Sequence, residues 1–291
     1  MALNKQIWIN QIKEGFYPDR IFLSKVVDLT ESVDVNSIHF PSAGIDPNVL
    51  INNKTYPIAI VERSDDDNVL PLDKFETENT LVRRPDAIEY SYNKLESVIR
   101  QHRSILQAST ARKAAHAYAP NEDTTDTPLV MTSGTKAGNR KRMTFDDLLS
   151  LKERFDNALI PLEDRYIVLH PSHVSDLLRE DMNFFKELTD IKDGEPMRFA
   201  GFGCFHFPYM PTYKAIDGKY QKEAFNAKQT EHFASVAFYR HEVMKADGEI
   251  YMYARYDDPE ERGTIVGFDK RFIALPIRNK GIGAIISAPA E

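Results

Sequence analysis

The sequence is poor in residues that build covalent or metal cross-links. Cys204 is the only cysteine among 291 residues, so no disulfide can close within the chain and no cysteine-rich metal site is present. A chain with one cysteine fits folding in a reducing compartment such as the cytoplasm. Disulfide-stabilised secreted domains are therefore excluded as a class.

The sequence also lacks long apolar runs. No window approaches the roughly 18 uninterrupted apolar residues that a membrane helix needs. The first twenty residues, MALNKQIWINQIKEGFYPDR, have no continuous apolar stretch of the kind found in signal peptides. We therefore predict a soluble chain that is not exported.

Positive charge is in deficit. The chain has 37 Lys and Arg against 44 Asp and Glu, which gives a net charge of −7. A protein that coats nucleic acid by counterion release needs a basic surface, so this class is disfavoured, although one local basic patch can still meet DNA. A hydrophobic content of 42% and this length allow a substantial core in one large domain or two smaller ones.

One stretch, TSGTKAGNRKRM (residues 132–143), resembles a phosphate-binding loop but does not meet its requirements. That loop has four residues between its glycines, followed by Lys and then Ser or Thr. Here three residues separate Gly134 from Gly138, and Asn139 and Arg140 follow. The sequence predicts a flexible basic connection instead, whose cations are Lys136, Arg140, Lys141 and Arg142.

Other residues with reactive side chains do not form a catalytic or metal-binding set. His170 and His173 have no third ligand nearby in the sequence. Cys204 and His206 alternate onto one face of a predicted strand, where a core role is the default. Residues 65–67 are three aspartates without the glycine and glutamate of a calcium loop. We predict no catalytic residue, no cofactor site and no metal site.

The element pattern begins with an extended region and a long helix. Residues 32–92 contain short alternating runs broken by Pro, Gly and Asn, with a strand expected at 79–83, and have too few apolar residues for a core of their own. A protruding β arm that is stabilised on a neighbouring molecule fits this pattern. Residues 91–119 contain no Gly or Pro and predict one helix that ends at Pro120.

The second half of the chain alternates helices and strands and then becomes antiparallel. Thr144 and Ser172 are predicted N-caps of two amphipathic helices, with a buried strand in DRYIVLHP between them. Residues 234–286 predict antiparallel strands. The expected turns lie at ADGE (246–249) and DPEERG (258–263).

This order of elements, and the segments DKFETENTLVRRPDAIEYSYNKLESVIRQHRSIL, RYIVLHPSHVSDLL and ASVAFYRHEVMKADGEIYMYARYDDPEERGTIVGFDKRFIALPIRNKGIGAI, resemble HK97-type major capsid proteins of tailed bacteriophages. The similarity is to a group from phages of Bacteroidetes-type hosts and runs from about residue 20 to the end. It implies an α+β fold with an N-terminal arm (1–31), an extended β loop (32–90), a peripheral domain with the spine helix (91–143 and 228–291) and an axial domain (144–227).

The resemblance implies assembly as the function. Such subunits form homo-pentamers and homo-hexamers of an icosahedral shell around double-stranded DNA, without enzymatic activity or cofactor. They assemble in the host cytoplasm and remain in the virion, with portal, scaffold or decoration proteins as further partners, non-specific DNA contacts and no membrane contact. The residues expected at subunit interfaces are Trp8, Phe16, Phe40, Tyr56, Arg83 and Arg84. The basic connection at 136–142 would meet an acidic neighbour or DNA.

The sequence leaves three other interpretations of the function open. An encapsulin-like nanocompartment shell shares the implied fold and would contain a cargo protein instead of DNA. A soluble small-oligomer enzyme would show a pocket with converging titratable groups. A binding module would stay monomeric with its β arm free.

Overall fold

The structure is a computed structural model that describes residues 22–34, 37–42, 66–83, 93–181, 191–192, 195–196, 198–216, 219–227 and 232–290. Within these ranges the α-helices are α1 (Asn93–Tyr118), α2 (Phe145–Asn157) and α3 (Pro171–Glu180). The strands are β1 (Val27–Asp28), β2 (Val33–Asp34), β3 (Ser37–Ser42), β4 (Asp66–Pro71), β5 (Asp73–Glu76), β6 (Thr80–Arg83), β7 (Leu129–Met131), β8 (Lys136–Ala137), β9 (Arg140–Lys141), β10 (Arg165–Leu169), β11 (Ile191–Lys192), β12 (Glu195–Pro196), β13 (Arg198–Phe199), β14 (Phe202–His206), β15 (Tyr213–Ile216), β16 (Lys219–Lys222), β17 (Ala234–Tyr239), β18 (Val243–Asp258), β19 (Gly263–Pro276) and β20 (Ile282–Ile286).

A six-stranded sheet with the order β13-β14-β10-β17-β20-β7 is buried on both faces. One face, with Val168 and Phe238, packs toward α1, and the other, with Ile167 and Ala237, packs under α2 and α3. Both sets of alternating side chains are therefore covered. This explains why its strands contain continuous apolar runs such as YIVL and IGAII.

A five-stranded sheet is built on the long β18–β19 hairpin, with β1 on one side and β5 and β6 on the other. Its inner face, which includes Met252 and Phe268, packs against Ile99 and Leu106 of α1. On the outer face Tyr251 and Tyr253 are about half exposed. The hairpin thus has the inward and outward alternation of a sheet with one covered face.

Helix α1 contributes to the cores of both sheets. Small side chains, such as those of Ala111 and Ala115, allow close approach in a cluster that also contains Phe238 of one sheet and Phe272 of the other. The helix is also anchored by Tyr118, whose hydroxyl donates to a β18 carbonyl at 3.0 Å. The predicted helix at 91–119 and the predicted strand at 79–83 are confirmed as α1 and β6.

The turn predicted at ADGE (246–249) is wrong. These residues form a β-bulge inside the continuous strand β18, between the pairs Asp247↔Phe272 and Ile250↔Lys270. The extra residue reverses the alternation, so that odd-numbered Val243 faces α1 before the bulge and even-numbered residues do so after it. A Cβ on Gly248 would lie 2.5 Å from Arg271 Cβ, so glycine is needed there for close approach rather than for a turn.

One of the two predicted helix caps is confirmed. Thr144 caps α2 in a reciprocal capping box with Asp147. Ser172 does not cap α3. His170 does, because its Nδ1 accepts from the Ser172 amide at 3.2 Å and Pro171 occupies the first helical position, where proline is favoured.

Strands from the predicted segments share sheets. β17 and β20, which the resemblance assigns to the peripheral domain, lie in the six-stranded sheet, where β17 pairs with β10 of the axial segment on one side and with β20 on the other. β5 and β6, from the predicted extended loop, pair with β19. Phe22 and Val26, inside the predicted N-terminal arm, are buried in the subunit core. The domain limits remain a prediction.

Candidate assembly surfaces

The stretch TSGTKAGNRKRM folds as the β8–β9 hairpin, so the flexible connection predicted for it is wrong. Gly138, in the two-residue turn, has φ +67°, a conformation that favours glycine. The Gly134 amide donates to the Arg142 carbonyl at 3.0 Å, and a Cβ on Gly134 would lie 2.6 Å from that oxygen. The two glycines therefore serve a tight turn and a close strand contact.

The hairpin is fastened to the C-terminal segment that follows β20. The Lys141 amide donates to the Ala288 carbonyl at 2.8 Å, and the Ala290 amide donates to the Asn139 carbonyl at 2.9 Å. The Thr132 hydroxyl accepts from the Ala288 amide at 2.9 Å and donates to the Lys141 carbonyl at 3.0 Å. These amides are used within the subunit and do not form a phosphate cradle.

Arg140, one of the four cations predicted to face a partner, is bound within the subunit. Its Nη1 and Nη2 contact the two carboxylate oxygens of Asp176 at 2.5 and 3.1 Å, and its guanidinium lies 5.3 Å from the centre of the Phe233 ring. Asp176 is buried, so this bidentate pair fixes the hairpin to α3. Lys141 and Arg142 are half-buried and Lys136 is exposed.

The two histidines of HPSH lie in a buried polar cluster. His173 is fully buried, with Nδ1 2.7 Å from Ser235 Oγ and Nε2 2.8 Å from Ser287 Oγ. Burial first, then His170 and Arg140, hold the pKa of His173 well below its usual value. His170 stacks on Phe233 with ring centres 3.7 Å apart, and burial followed by Arg140 lowers its pKa to about 4. Both rings are therefore neutral at pH 7 and serve packing.

Cys204 is buried in the six-stranded sheet, and burial raises the pKa of its thiol to about 12. A thiol of this kind is not an activated nucleophile. His206, at the end of the same strand, is exposed. Among the described residues no group of three or more His, Cys, Asp or Glu side chains is placed to bind a metal ion. Within the same residues no helix is long and apolar enough to cross a membrane.

A small basic cleft lies where the end of α1 meets the segments around β15 and β16. The space that it encloses is about 20 Å³, and it is lined by Arg112, His116, Tyr209, Met210, Pro211, Thr212, Ala224, Phe225, Asn226 and Ala227. Nearby, the Lys222 ammonium donates to the carbonyls of His116 and Ala119 at 3.0 and 2.5 Å and so caps α1. Pockets for small molecules are far larger, about 300–1,000 Å³, so this shallow cleft has room for the end of one side chain at most.

Two leucines between α2 and β10 form an exposed apolar knob, defined here as Leu159 and Leu162. Leu159 is 88% exposed and Leu162 is 59% exposed. Large apolar side chains with this exposure are expected at contact sites when other features support that role.

Several solved structures are similar to this chain over most of its length. The chain is similar to the capsid structure of the cyanophage P-SCSP1u, with a TM-score of 0.63 and 17% identity over 93% of this chain and 89% of that one. It is similar to a structure of Mycobacterium phage Che8, with a TM-score of 0.61 and 16% identity over 91% and 90%. It is also similar to the virus-like particle of Pyrococcus furiosus, with a TM-score of 0.60 and 10% identity over 97% and 99%.

The chain has the fold of phage capsid proteins. This confirms the α+β, HK97-like fold expected from the sequence. No protein-family model matches the sequence, and no curated protein matches it either.

Two of the six residues predicted at subunit interfaces lie among the described residues. Arg83 ends β6 and is exposed, and Phe40 lies in β3, which pairs with β4 in a three-stranded ribbon. Trp8, Phe16, Tyr56 and Arg84 lie outside the described residues. The role of all six at subunit interfaces remains a prediction.

Neither the knob nor the basic cleft was predicted from the sequence. The knob had a local signal, since NALIPLEDR places Leu159 and Leu162 beyond the last helical residue of α2, where a glycine or polar residue is usual. The cleft had none, because Arg112, Tyr209 and Phe225 are far apart in the sequence and converge only in the folded chain.

Proposed function

We propose that this chain is a major capsid protein, copies of which assemble into pentamers and hexamers of an icosahedral shell around double-stranded DNA. The observation that carries the proposal is an alignment over 93% of this chain with 89% of a cyanophage capsid subunit. The similarity therefore extends over most of the chain, rather than over one shared motif. The proposal gives the chain a structural role, without catalysis or cofactor.

The chemistry of the described residues supports a structural role. Buried ionisable groups are engaged within the subunit, as in the bidentate pair Arg140–Asp176 and in the cluster of His173 with Ser235 and Ser287. In enzymes such groups usually converge on a cleft, with a perturbed pKa matched to the reaction. Here they join secondary-structure elements to one another.

A second candidate is a shell that encloses a cargo other than packaged DNA. The alignment with the virus-like particle of Pyrococcus furiosus, which covers 97% of this chain and 99% of that one, favours it. Both candidates require self-assembly and differ in the contents of the shell. Portal, scaffold and decoration proteins belong to the first candidate only.

Electron microscopy and light scattering of the purified full chain test self-assembly. We expect shells or capsomer rings whose mass is a multiple of the 33.3 kDa subunit. A monodisperse monomer or small oligomer at high concentration would contradict both candidates. The contents of particles from the native source then separate the two. Nuclease-protected DNA supports the capsid, and a stoichiometric cargo protein without DNA supports the second candidate.

Removal of residues 1–21 tests the N-terminal arm without cutting into the described core. Phe22 and Val26 are 2% and 3% exposed, so a deletion that extends through them would also remove core side chains. We expect the shortened chain to keep the circular dichroism of the full chain and to assemble poorly. Assembly equal to that of the full chain would contradict the proposed role of the arm.

A further inference from the structure

The apolar knob contains a residue in an unfavourable backbone conformation. Helix α2 ends in a Schellman motif, in which the Leu159 amide donates to the Asp156 carbonyl at 3.0 Å and the Ile160 amide donates to the Phe155 carbonyl at 3.2 Å. This motif needs a left-handed residue, usually glycine, and Leu159 occupies that position with φ 56°. The isolated subunit gains little packing from this leucine, because 88% of it is exposed.

The knob is held rigidly from below. Arg165 is fully buried, its Nε donates to the Pro161 carbonyl at 2.8 Å, and its Nη2 donates to the Ile160 carbonyl. Its Nη1 contacts Asp156 Oδ1 at 2.7 Å. The guanidinium therefore fixes the backbone between the two exposed leucines. A preorganised apolar projection loses little conformational entropy on docking, which is how an interface anchor gains affinity.

The basic cleft has the complementary character. Met210 is 4% exposed and Pro211 is buried, while the Arg112 guanidinium lies 5.5 Å from the centre of the Phe225 ring. In the described part of the chain, no carboxylate pairs with Arg112. The Glu223 carboxylate accepts from Thr212 of the cleft at 2.6 Å. Burial, followed by Lys222, Lys113 and Arg112, lowers the pKa of His116. Its Nε2 is 2.8 Å from the Glu223 carbonyl oxygen.

Knob and cleft lie at opposite ends of the six-stranded sheet. Strands β10 and β14 are parallel, with Tyr166 opposite Gly203 and Leu169 opposite His206. The knob precedes β10 and the residues from Tyr209 to Thr212 follow β14, so the two surfaces are separated by at least a strand of about 16 Å. Complementary surfaces at opposite ends of a subunit give head-to-tail contacts, which close into rings when the rotation allows it.

We propose that the knob of one copy packs over the basic cleft of the next copy within a ring, with Glu163 of the knob opposite Arg112 of the cleft. Glu163 follows Leu162 directly and is exposed, and no cation pairs with its carboxylate among the described residues. The inference rests on the proposed self-assembly and assigns one of its contacts. The occupant of the cleft is thus a second copy of this chain.

Leu159→Gly separates a docking role from a folding role. Glycine suits the left-handed position, so the thermal midpoint of the subunit stays equal or rises, while loss of the anchor raises the concentration for half-assembly by about tenfold or more. Leu149→Ala is the matched control, because Leu149 is 50% exposed on α2 outside the knob, and it should assemble as the wild type does. Wild-type assembly by Leu159→Gly would overturn the inference.

A charge exchange tests the partner within the cleft. Arg112→Glu and Glu163→Arg each place like charges at the contact and should weaken assembly measured by sedimentation velocity. The double variant restores the opposite charges in exchanged positions, and we expect it to recover most of the assembly. A double variant no better than the worse single variant would overturn the pairing.

A cysteine pair reports the contact directly. Leu162→Cys together with Tyr209→Cys should give oxidised species between subunits, up to whole rings on a non-reducing gel. Each single variant should not give them, and native Cys204 is buried. If the double-cysteine variant forms particles like those of the wild type but its subunits are not cross-linked, this contact would be overturned and the proposed function would stand. A wild-type chain that forms no particle would overturn the proposed function itself.

Discussion

Acid should destabilise the folded subunit through His170. Burial and Arg140 lower the pKa of this ring from 6.5 to about 4. Between these two values the unfolded chain binds a proton that the folded chain does not. The free energy of unfolding therefore falls as the pH drops from about 6.5 toward 4, and the contribution of His170 is fully present above pH 6.5.

The magnitude follows from the size of the shift. A shift of about 2.5 pH units, at about 1.4 kcal/mol per unit, corresponds to a full loss of about 3.5 kcal/mol, of which about 2 kcal/mol falls between pH 7 and pH 5. His170 is half-buried, and solvent screening reduces this to about 1 kcal/mol. His173 acts in the same direction, because its pKa is also lowered and its two ring nitrogens already contact serine hydroxyls.

Urea unfolding at pH 7 and pH 5, with wild type and His170→Asn compared, measures this contribution. Asparagine does not titrate and is a good helix N-cap, so it keeps the acceptor that His170 offers at the start of α3. We expect the variant to lose about 1 kcal/mol less than the wild type between the two pH values. His102 and His116, whose pKa values are also lowered, supply a background loss common to both chains. Equal losses in the two chains would refute the reasoning.

Three substitutions should lower stability by amounts that urea unfolding can resolve. Gly283→Ala would place a Cβ 2.7 Å from Phe155, and overpacking of this kind costs about 1–3 kcal/mol. Ser287→Ala leaves Nε2 of buried His173 without its partner, at a cost of about 1–3 kcal/mol. Arg165→Met keeps much of the side-chain volume but removes the donors of the Ile160 and Pro161 carbonyls, which should cost about 1–3 kcal/mol. A change below about 0.5 kcal/mol in any of them would contradict the corresponding contact.

Local patterns in the sequence were sufficient for much of the fold. The run of residues 91–119 without Gly or Pro became α1, and Thr144 with Asp147 formed the predicted cap. These features depend on neighbouring residues, so a single sequence contains their signal. The resemblance to capsid proteins added the order of elements, which the structural comparisons confirm at the level of fold.

What the sequence did not reveal depends on contacts between distant residues. Asp247 and Gly248 have the composition of a turn, yet β19 pairs with both flanks of the segment, so the chain continues as one strand with a bulge. Gly134 has the appearance of a phosphate loop glycine, yet its role is set by the Arg142 carbonyl across the hairpin. Arg112 becomes part of a cleft only when β14 and β16 fold against α1.

The packing of α1 between the two sheets indicates which parts of the subunit could differ between the proposed pentamers and hexamers. Ala111, Ala114 and Tyr118 pack in one cluster with Phe238 of the six-stranded sheet and Phe272 of the five-stranded sheet. Rotation of one sheet against the other would open this cluster, and voids in a packed core cost free energy in proportion to their volume. We therefore expect the two sheets to move as a unit when subunits enter the proposed pentamers and hexamers. Differences between the rings would then be absorbed at contacts on the subunit surface, such as the one proposed between the knob and the basic cleft.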